Sequence, residues 1–486
     1  MKKWMQKITI YLTGIILGLA LIVFMSLKPP SAKLPKRSDR MITGVNILNP
    51  GAPVLENQTI IIKDGVITDI HPTQAGDDPA VCPECFVMPG LIDAHIHTPP
   101  KIAFGNQELF SLLYLKYGVT SVRDTGQSEE SVIALARNLN TQKLVGPRMY
   151  SCGPVIDGDP PGWAFSQVAT TAQDGVRIVR MLAAKGVDCI KVYNEISKPA
   201  FEAIRQEAAL QNIPVIGHVP HAVGLAGVHN MQVQHLTGVP YIDGSRPVYG
   251  RDYSDADMNA LSEAGFIQAL DIAKANNISF TPTLSNYQMR LIAADAKRFP
   301  PTEGMQHLPE FWNMAFQTVA WHPSNQTEID ARLLAIENSK KFVKAAHENG
   351  IDILAGTDTI MPYVVPGESL LIELDILGEV FESTEDALAS ATTINGYYID
   401  KDKIGVLKVG AYADMLLLTS DPRKDLQAVR DWNFLVVGGR FITRVELDKQ
   451  VTRFDKHFNG LGYRTIMGIA MAFKASDYAK EKMDDE

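Results

Sequence analysis

Hydrophobic and polar positions divide this chain into blocks of different period. Between residues 41 and 71 apolar positions alternate and break at turn residues, as in ITGVNILNP and QTIIIKDGVITDI, where Lys63-Asp64-Gly65 reads as a hairpin turn. The same short-strand texture returns at 413–418 and 434–444, with turn signals at Asp421-Pro422 and Gly438-Gly439. These two clusters flank a long middle, which predicts a small β-sandwich domain formed from 41–89 and 397–446.

The middle, 90–396, alternates apolar runs with helical stretches. Strands are expected at 91–97, 120–124, 148–152, 188–193, 214–218, 233–235, 279–283 and 352–358. Helical spacing covers 129–139, 174–185, 201–211 and 328–349. Ser197 with Pro199 makes a helix start, and Gly118, Gly186 and Gly350 sit where helices should stop. Eight strands with intervening helices predict a (β/α)8 TIM barrel. The strand count depends on where boundaries are drawn, so a doubly wound open sheet is the alternative.

From Ile8 to Leu27 the chain carries no charge, about the length a helix needs to cross a bilayer, and Lys2, Lys3 and Lys7 precede it. The run is long for a cleavable signal, and no clear small-residue cleavage site follows. Residues 1–27 are therefore expected to form an uncleaved transmembrane helix, with the catalytic body outside the cytoplasm, in a periplasmic position. Lys28, Lys33, Lys36, Arg37 and Arg40 make the far flank basic as well, so charge alone does not set the orientation. Residues 28–40 read as a Pro-rich, charged linker. Residues 447–486 are an extension whose 463–475 segment is apolar enough to pack as a helix, ending in the charged tail AKEKMDDE.

Composition narrows the class. The 486 residues are 46% hydrophobic and 21% charged, an ordinary globular balance with ample material for a core. A net charge of -9 argues against nucleic acid as a partner. Four cysteines are too few for a disulfide scaffold. Two of them form CPEC ahead of a strand, where Cys82 and Cys85 are open to two readings, surface thiols or a small loop disulfide.

Candidate chemistry gathers at the ends of the expected barrel strands. Strand one closes on His95 and His97, which as i and i+2 neighbours point to one face. Strand four carries Lys191, strand five ends in His218, strand six in His235 and strand eight in Asp358. A barrel presents its reactive groups at this rim, and the set is too large for one tetrahedral zinc but sufficient for two divalent ions, with zinc as the default. Lysine is not a metal ligand as an ammonium. Buried beside cations it becomes a nucleophilic amine, and addition of CO2 would turn Lys191 into a carbamate able to bridge two ions. Asp93 shares a strand face with His95 and His97 and is a candidate partner for them. Tyr193, two residues past Lys191, is a candidate to bind substrate, and His221 could line the pocket. Packing or loop exposure accounts for either equally simply.

Several stretches, MPGLIDAHIH, GVTSVRDTG, GVDCIKVY, GHVPHAVGL, VQHLTG and LAGTDT, resemble the amidohydrolase superfamily, near its imidazolonepropionase-like and Xaa-Pro dipeptidase-like branch. The resemblance runs from about 44 to 444 and includes the closing run ALASATTINGYYIDKDKIGVLKVGAYADMLLLTSDP. It implies that His95, His97 and Asp358 bind the more buried metal, that His218 and His235 bind the other, and that carbamylated Lys191 bridges them. It also implies attack on a carbonyl by a hydroxide between the metals, with Asp358 accepting the proton and delivering it to the leaving amine. The presence of Lys191 sets the chain apart from imidazolonepropionase proper, which resembles it in fold but uses one metal. Departures occur at Leu371, where many relatives have histidine, at Asn395-Gly396-Tyr397, and in GPVIDGDPPGWAF, which lacks the usual Gly-Gly-His.

The expected function is hydrolysis of an amide or peptide C–N bond in a dipeptide or N-acyl amino acid. A lactonase or phosphotriesterase using the same binuclear site is the enzymatic alternative, and a catalytically silent binding barrel the non-enzymatic one. The expected partners are a small-molecule substrate and, through the N-terminal helix, the membrane; homo-oligomer formation is open.

Overall fold

In the computed structural model the described residues are 2–78, 82, 84–127, 131–163, 165–244, 255–312, 323 and 325–470. Strands β1 (Arg40–Ile47), β2 (Leu55–Lys63), β3 (Val66–Pro72) and β4 (Phe86–Pro89) precede the central body. The hairpin β2–β3 turns where expected, with Asp64 and Gly65 at φ 50° and 68°, the left-handed pair that a tight two-residue turn needs.

The central body contributes β5 (Leu91–Ile96), β6 (Val119–Asp124), β7 (Arg148–Ser151), β8 (Ile156–Asp157), β9 (Gln167–Val168), β10 (Ile190–Val192), β11 (Val215–Gly217), β12 (Gln232–Gln234) and β13 (Ser279–Thr281). β5, β6 and β7 pair in parallel, as do β10, β11, β12 and β13. The two groups meet through backbone. Asp188 N–H donates to Ser151 O at 2.8 Å, between β7 and the approach to β10. On the other side, residues 352–358 lie between β13 and β5: Leu354 N–H donates to Phe280 O at 2.8 Å and Ala94 N–H to Ala355 O at 3.0 Å. This eighth stave is extended chain held by isolated bridges, not the regular strand expected at 352–358. Gly356 fits this close approach, since a Cβ there would stand 2.9 Å from His95 Cβ.

Helices return the chain between staves. Ala172–Lys185 starts in a capping box, Thr171 with Asp174, and stops at left-handed Gly186. Lys198–Leu210 begins at Ser197 and Pro199 as the sequence indicated. The helix expected from 129 is observed as Ser131–Asn140, and residues 128–130 lie outside the described set.

β14 (Met415–Leu418), β15 (Trp432–Val437) and β16 (Arg440–Thr443) then join the first four strands in one seven-stranded sheet of order β16-β15-β14-β4-β1-β2-β3. The flanks thus build a single mixed sheet, with Ile42, Val45, Ile60, Ile62, Met415, Leu417 and Val436 in its core. Cys82 and Cys85 are paired and buried against this core rather than exposed, and Cys152 pairs with Cys189.

The 28–40 segment is tied to the body: Lys33 N–H donates to Gln450 Oε1 at 3.1 Å and Arg440 Nη1 to Pro35 O at 2.6 Å. The helix Arg444–Phe458 packs beside Asn106–Lys116, and Tyr463 and Met467 are buried. The charged tail, within 471–486, lies outside the described residues.

One expectation is overturned. Residues 2–27 do form a helix, Lys2–Leu27. Among the described residues no helix is long and apolar enough to cross a membrane. The transmembrane helix, the membrane as a partner and the periplasmic location inferred from it are corrected accordingly.

Candidate metal centre

The stave ends bring the six expected residues to one end of the barrel. His95 lies within β5 and His97 just past it; Lys191 lies within β10; His218 and His235 follow β11 and β12; Asp358 closes the eighth stave. Ring centroids are 5.3 Å apart for His95 and His97, 4.3 Å for His95 and His235, and 5.3 Å for His218 and His235. Asp358 Oδ1 faces Nε2 of His97 at 3.1 Å and of His95 at 3.3 Å, and its Oδ2 lies 3.8 Å from His235 Nε2. One ligand atom each from His95, His235 and Asp358 falls within 4.8 Å of the others.

Every imidazole is oriented from behind through Nδ1. His97 donates to Gly126 O at 2.6 Å, His95 to Gln234 Oε1 at 2.5 Å and His218 to Asn194 Oδ1 at 2.8 Å; His235 Nδ1 meets Thr283 Oγ1 at 2.6 Å. A proton held at Nδ1 leaves a lone pair on Nε2, the arrangement an imidazole ligand requires. Two atoms carry the fit to a cation. His95 Nε2 and Asp358 Oδ1 are buried without a hydrogen bond, a costly state for polar atoms unless an ion completes them. Imidazole and carboxylate together suit zinc and its divalent neighbours.

Backbone geometry at these positions is unusual. His235, Thr283 and Asp358 hold φ of 58°, 50° and 63°, in the left-handed region that side chains with a Cβ avoid. The surrounding hydrogen bonds hold them there, and each turns its side chain back over the barrel mouth.

Burial dominates the electrostatics. It pulls His95 down to about 3, with Lys191 adding to the effect, and lowers His218 and His235 well below the usual histidine value. Burial would lower His97 too, but Asp358 outweighs it and the net shift is upward. Burial works against the Asp358 anion, yet His235, His95 and His97 together hold its carboxyl well below the ordinary range. Burial brings Lys191 down to about 7, opposed by Asp358 and assisted by Arg123. Uncharged His95, His218 and His235 beside an ionised Asp358 are the protonation states that bind a cation.

Comparison with known proteins agrees with this geometry. The amidohydrolase family model matches residues 86–442, most of the chain. The chain belongs to the amidohydrolase family. Among solved structures, bottromycin amidohydrolase is 22% identical with a TM-score of 0.70, over 90% of this chain and 93% of that one. A putative prolidase from Bifidobacterium longum is 22% identical with a TM-score of 0.62, over 86% and 100%. An Xaa-Pro dipeptidase with bound methionine is 18% identical with a TM-score of 0.59, over 84% and 100%. At these identities the likeness establishes the fold. A search of curated proteins finds no match. Family membership and the His/His/Asp cluster together make this a metal-dependent hydrolase site.

Other residues complete this amidohydrolase site. Asn286 Nδ2 donates to Asp358 Oδ2 at 2.7 Å, and Tyr287 hydroxyl to His235 O at 2.9 Å. With Thr283, they sit on the first turn of the helix Leu284–Ala294, whose N–H groups at Leu284 and Ser285 are accepted by buried Glu373 at 3.0 and 2.6 Å. Beneath the histidines, Asp93 accepts from Thr357 Oγ1 at 2.7 Å and Arg123 donates to Gln232 Oε1 at 2.7 Å. Asp93 therefore supports the loop bearing Asp358 and bonds the His95 backbone N–H rather than its ring. Only Asp93 of this group stood out in the sequence. The alternation of GVTSVRD would have placed Arg123 inside the barrel, whereas nothing local marks Thr283 or Asn286. The Tyr193 ring lies 4.1 Å from that of His218, tilted by 34°, and His221 pairs with Glu195 at 3.1 Å rather than standing free on its loop.

Proposed function

We propose that this chain hydrolyses an amide or peptide C–N bond in a dipeptide or N-acyl amino acid, using two divalent ions, most simply zinc. His95, His97 and Asp358 would hold one ion, His218 and His235 the other, and a CO2-derived carbamate on Lys191 would join them. The observation that carries the reading is the set of four Nδ1-anchored imidazoles around Asp358, with Lys191 buried among them. Bound divalent ions polarise a carbonyl and bring the pKa of water towards neutrality.

The chain's own residues supply orientation and proton transfer. Asn286 keeps the Asp358 carboxylate in one rotamer, so it can accept the proton of the attacking water and return it to the leaving amine. Tyr193, against His218, and His221, held by Glu195, would contact the substrate. The buried walls exclude bulk water and strengthen each charge interaction.

Dialysis against chelator followed by zinc, with and without bicarbonate, tests the metal and carbamate together. Activity on a panel of dipeptides and N-acyl amino acids should vanish on dialysis and return fully only when CO2 is supplied. Equal recovery without bicarbonate removes the carbamate. Turnover of chromogenic esters or organophosphates with none on amides overturns the C–N assignment.

A further inference from the structure

One side of the metal centre is walled by aromatic rings from a loop that contributes no candidate ligand. Residues 152–163 follow β7, and within them β8 pairs in parallel with β10, Ile156 opposite Val192. Asp157, fully buried, accepts backbone N–H groups from Gly158 at 2.8 Å, Gly162 at 2.7 Å and Glu195 at 2.8 Å. These bonds tie the loop to the residues just beyond Lys191, and they occupy the carboxylate with backbone donors. Gly162 packs closely here: a Cβ there would stand 3.0 Å from Tyr193 Cε1, so a side chain would push the ring by a few tenths of an ångström.

Held this way, Trp163 donates its indole N–H to the Tyr193 hydroxyl at 3.0 Å. The Tyr193 ring lies 4.1 Å from that of His218, and Trp163 stacks on Phe165 at 5.5 Å and 17°. Aromatic surface therefore runs from a candidate metal ligand outward to Phe165, which is 36% exposed. The two carboxylates on this flank are both engaged, Asp157 by the backbone N–H groups above and Glu195 by His221 at 3.1 Å. The wall offers ring faces rather than a counter-charge, and flat apolar groups stack on such faces.

We propose that Tyr193, Trp163 and Phe165 form a subsite for a flat apolar, aromatic-sized side group next to the scissile bond. The proposal rests on the C–N reading for the bond that is cut; the rings alone define the subsite. It places selectivity in the segment where the chain departs from the Gly-Gly-His of its relatives.

The test compares N-acetyl-L-phenylalanine and L-phenylalanylglycine with their alanine and lysine counterparts, which puts the side group on either side of the bond. On metal-reconstituted protein, kcat/KM should favour phenylalanine on one side by at least about tenfold. Trp163→Ala should remove most of that preference, Trp163→Phe should restore it, and Phe165→Ala, at a partly exposed position, should weaken it without affecting folding. Calorimetry with L-phenylalanine, L-alanine and L-lysine gives a second readout, in which only L-phenylalanine should bind in a Trp163-dependent manner. An unchanged preference in Trp163→Ala and Phe165→Ala, or a preference for lysine, overturns the subsite. If none of the amides is cleaved, the C–N reading fails, and Trp163-dependent phenylalanine binding still decides the subsite.

Discussion

The seven-stranded sheet and the barrel interior are both made of short strands with alternating side chains, yet they bury opposite chemistry. In the sheet the inward positions are Ile42, Val45, Ile60, Ile62, Leu417 and Val436, which need no partner beyond one another. In the barrel the inward positions include Asp93, His95, Arg123, Lys191, Gln232 and Gln234, all buried to 5% exposure or less. Burial of polar groups costs free energy unless each is bonded, and the barrel meets that cost by a network. Asp93 engages Thr357, Arg123 engages Gln232 and the Ala94 carbonyl, and Gln234 engages His95. Two atoms, His95 Nε2 and Asp358 Oδ1, stay without a hydrogen bond at the mouth of that network. The sheet is held by apolar burial, whereas at the barrel mouth the unpartnered atoms belong to an imidazole and a carboxylate, the groups that can bind a cation.

Substitution should separate the two regions. Asp358→Asn keeps the shape but removes the anion, so activity should fall to below about a thousandth. Elemental analysis of the purified variant should show lost metal; retained metal and full turnover would erase the distinction between mouth and sheet. Ile60→Ala, in the sheet core, should cost about 2–5 kcal/mol in denaturant unfolding. The folded fraction should keep the wild-type kcat/KM, and a changed kcat/KM would tie the sheet to the site. Asn286→Ala should lower metal affinity about 10–100-fold, read by titrating metal into the apo-protein. Unchanged metal affinity with lowered stability would group Asn286 with the sheet residues instead.

Much of this arrangement was legible before folding. The alternation around Asp64-Gly65 and the double glycine at Gly438-Gly439 mark hairpins because left-handed turns demand those residues. Ser197 with Pro199 and the left-handed Gly186 bound helices for equally local reasons. The six candidate ligands were visible because barrel strands carry their chemistry near their ends: His97, His218, His235 and Asp358 close apolar runs, and Lys191 interrupts one. The apolar run at 8–27 misled in the other direction. Composition marks hydrophobicity, but among the described residues no helix is long and apolar enough to cross a membrane.

By itself the sequence determined the local periods, the turn and cap residues, and the types of side chain available for binding a cation. Tertiary structure decided which partners those side chains meet. Thr283 and Asn286 reach His235 and Asp358 across 48 and 72 residues, Gln234 reaches His95 across 139, and the Trp163 indole finds Tyr193 across 30. Contacts at such separations leave no period in the chain. They depend on barrel closure between 352–358 and β5, which sets the rim geometry only once all the staves are in place.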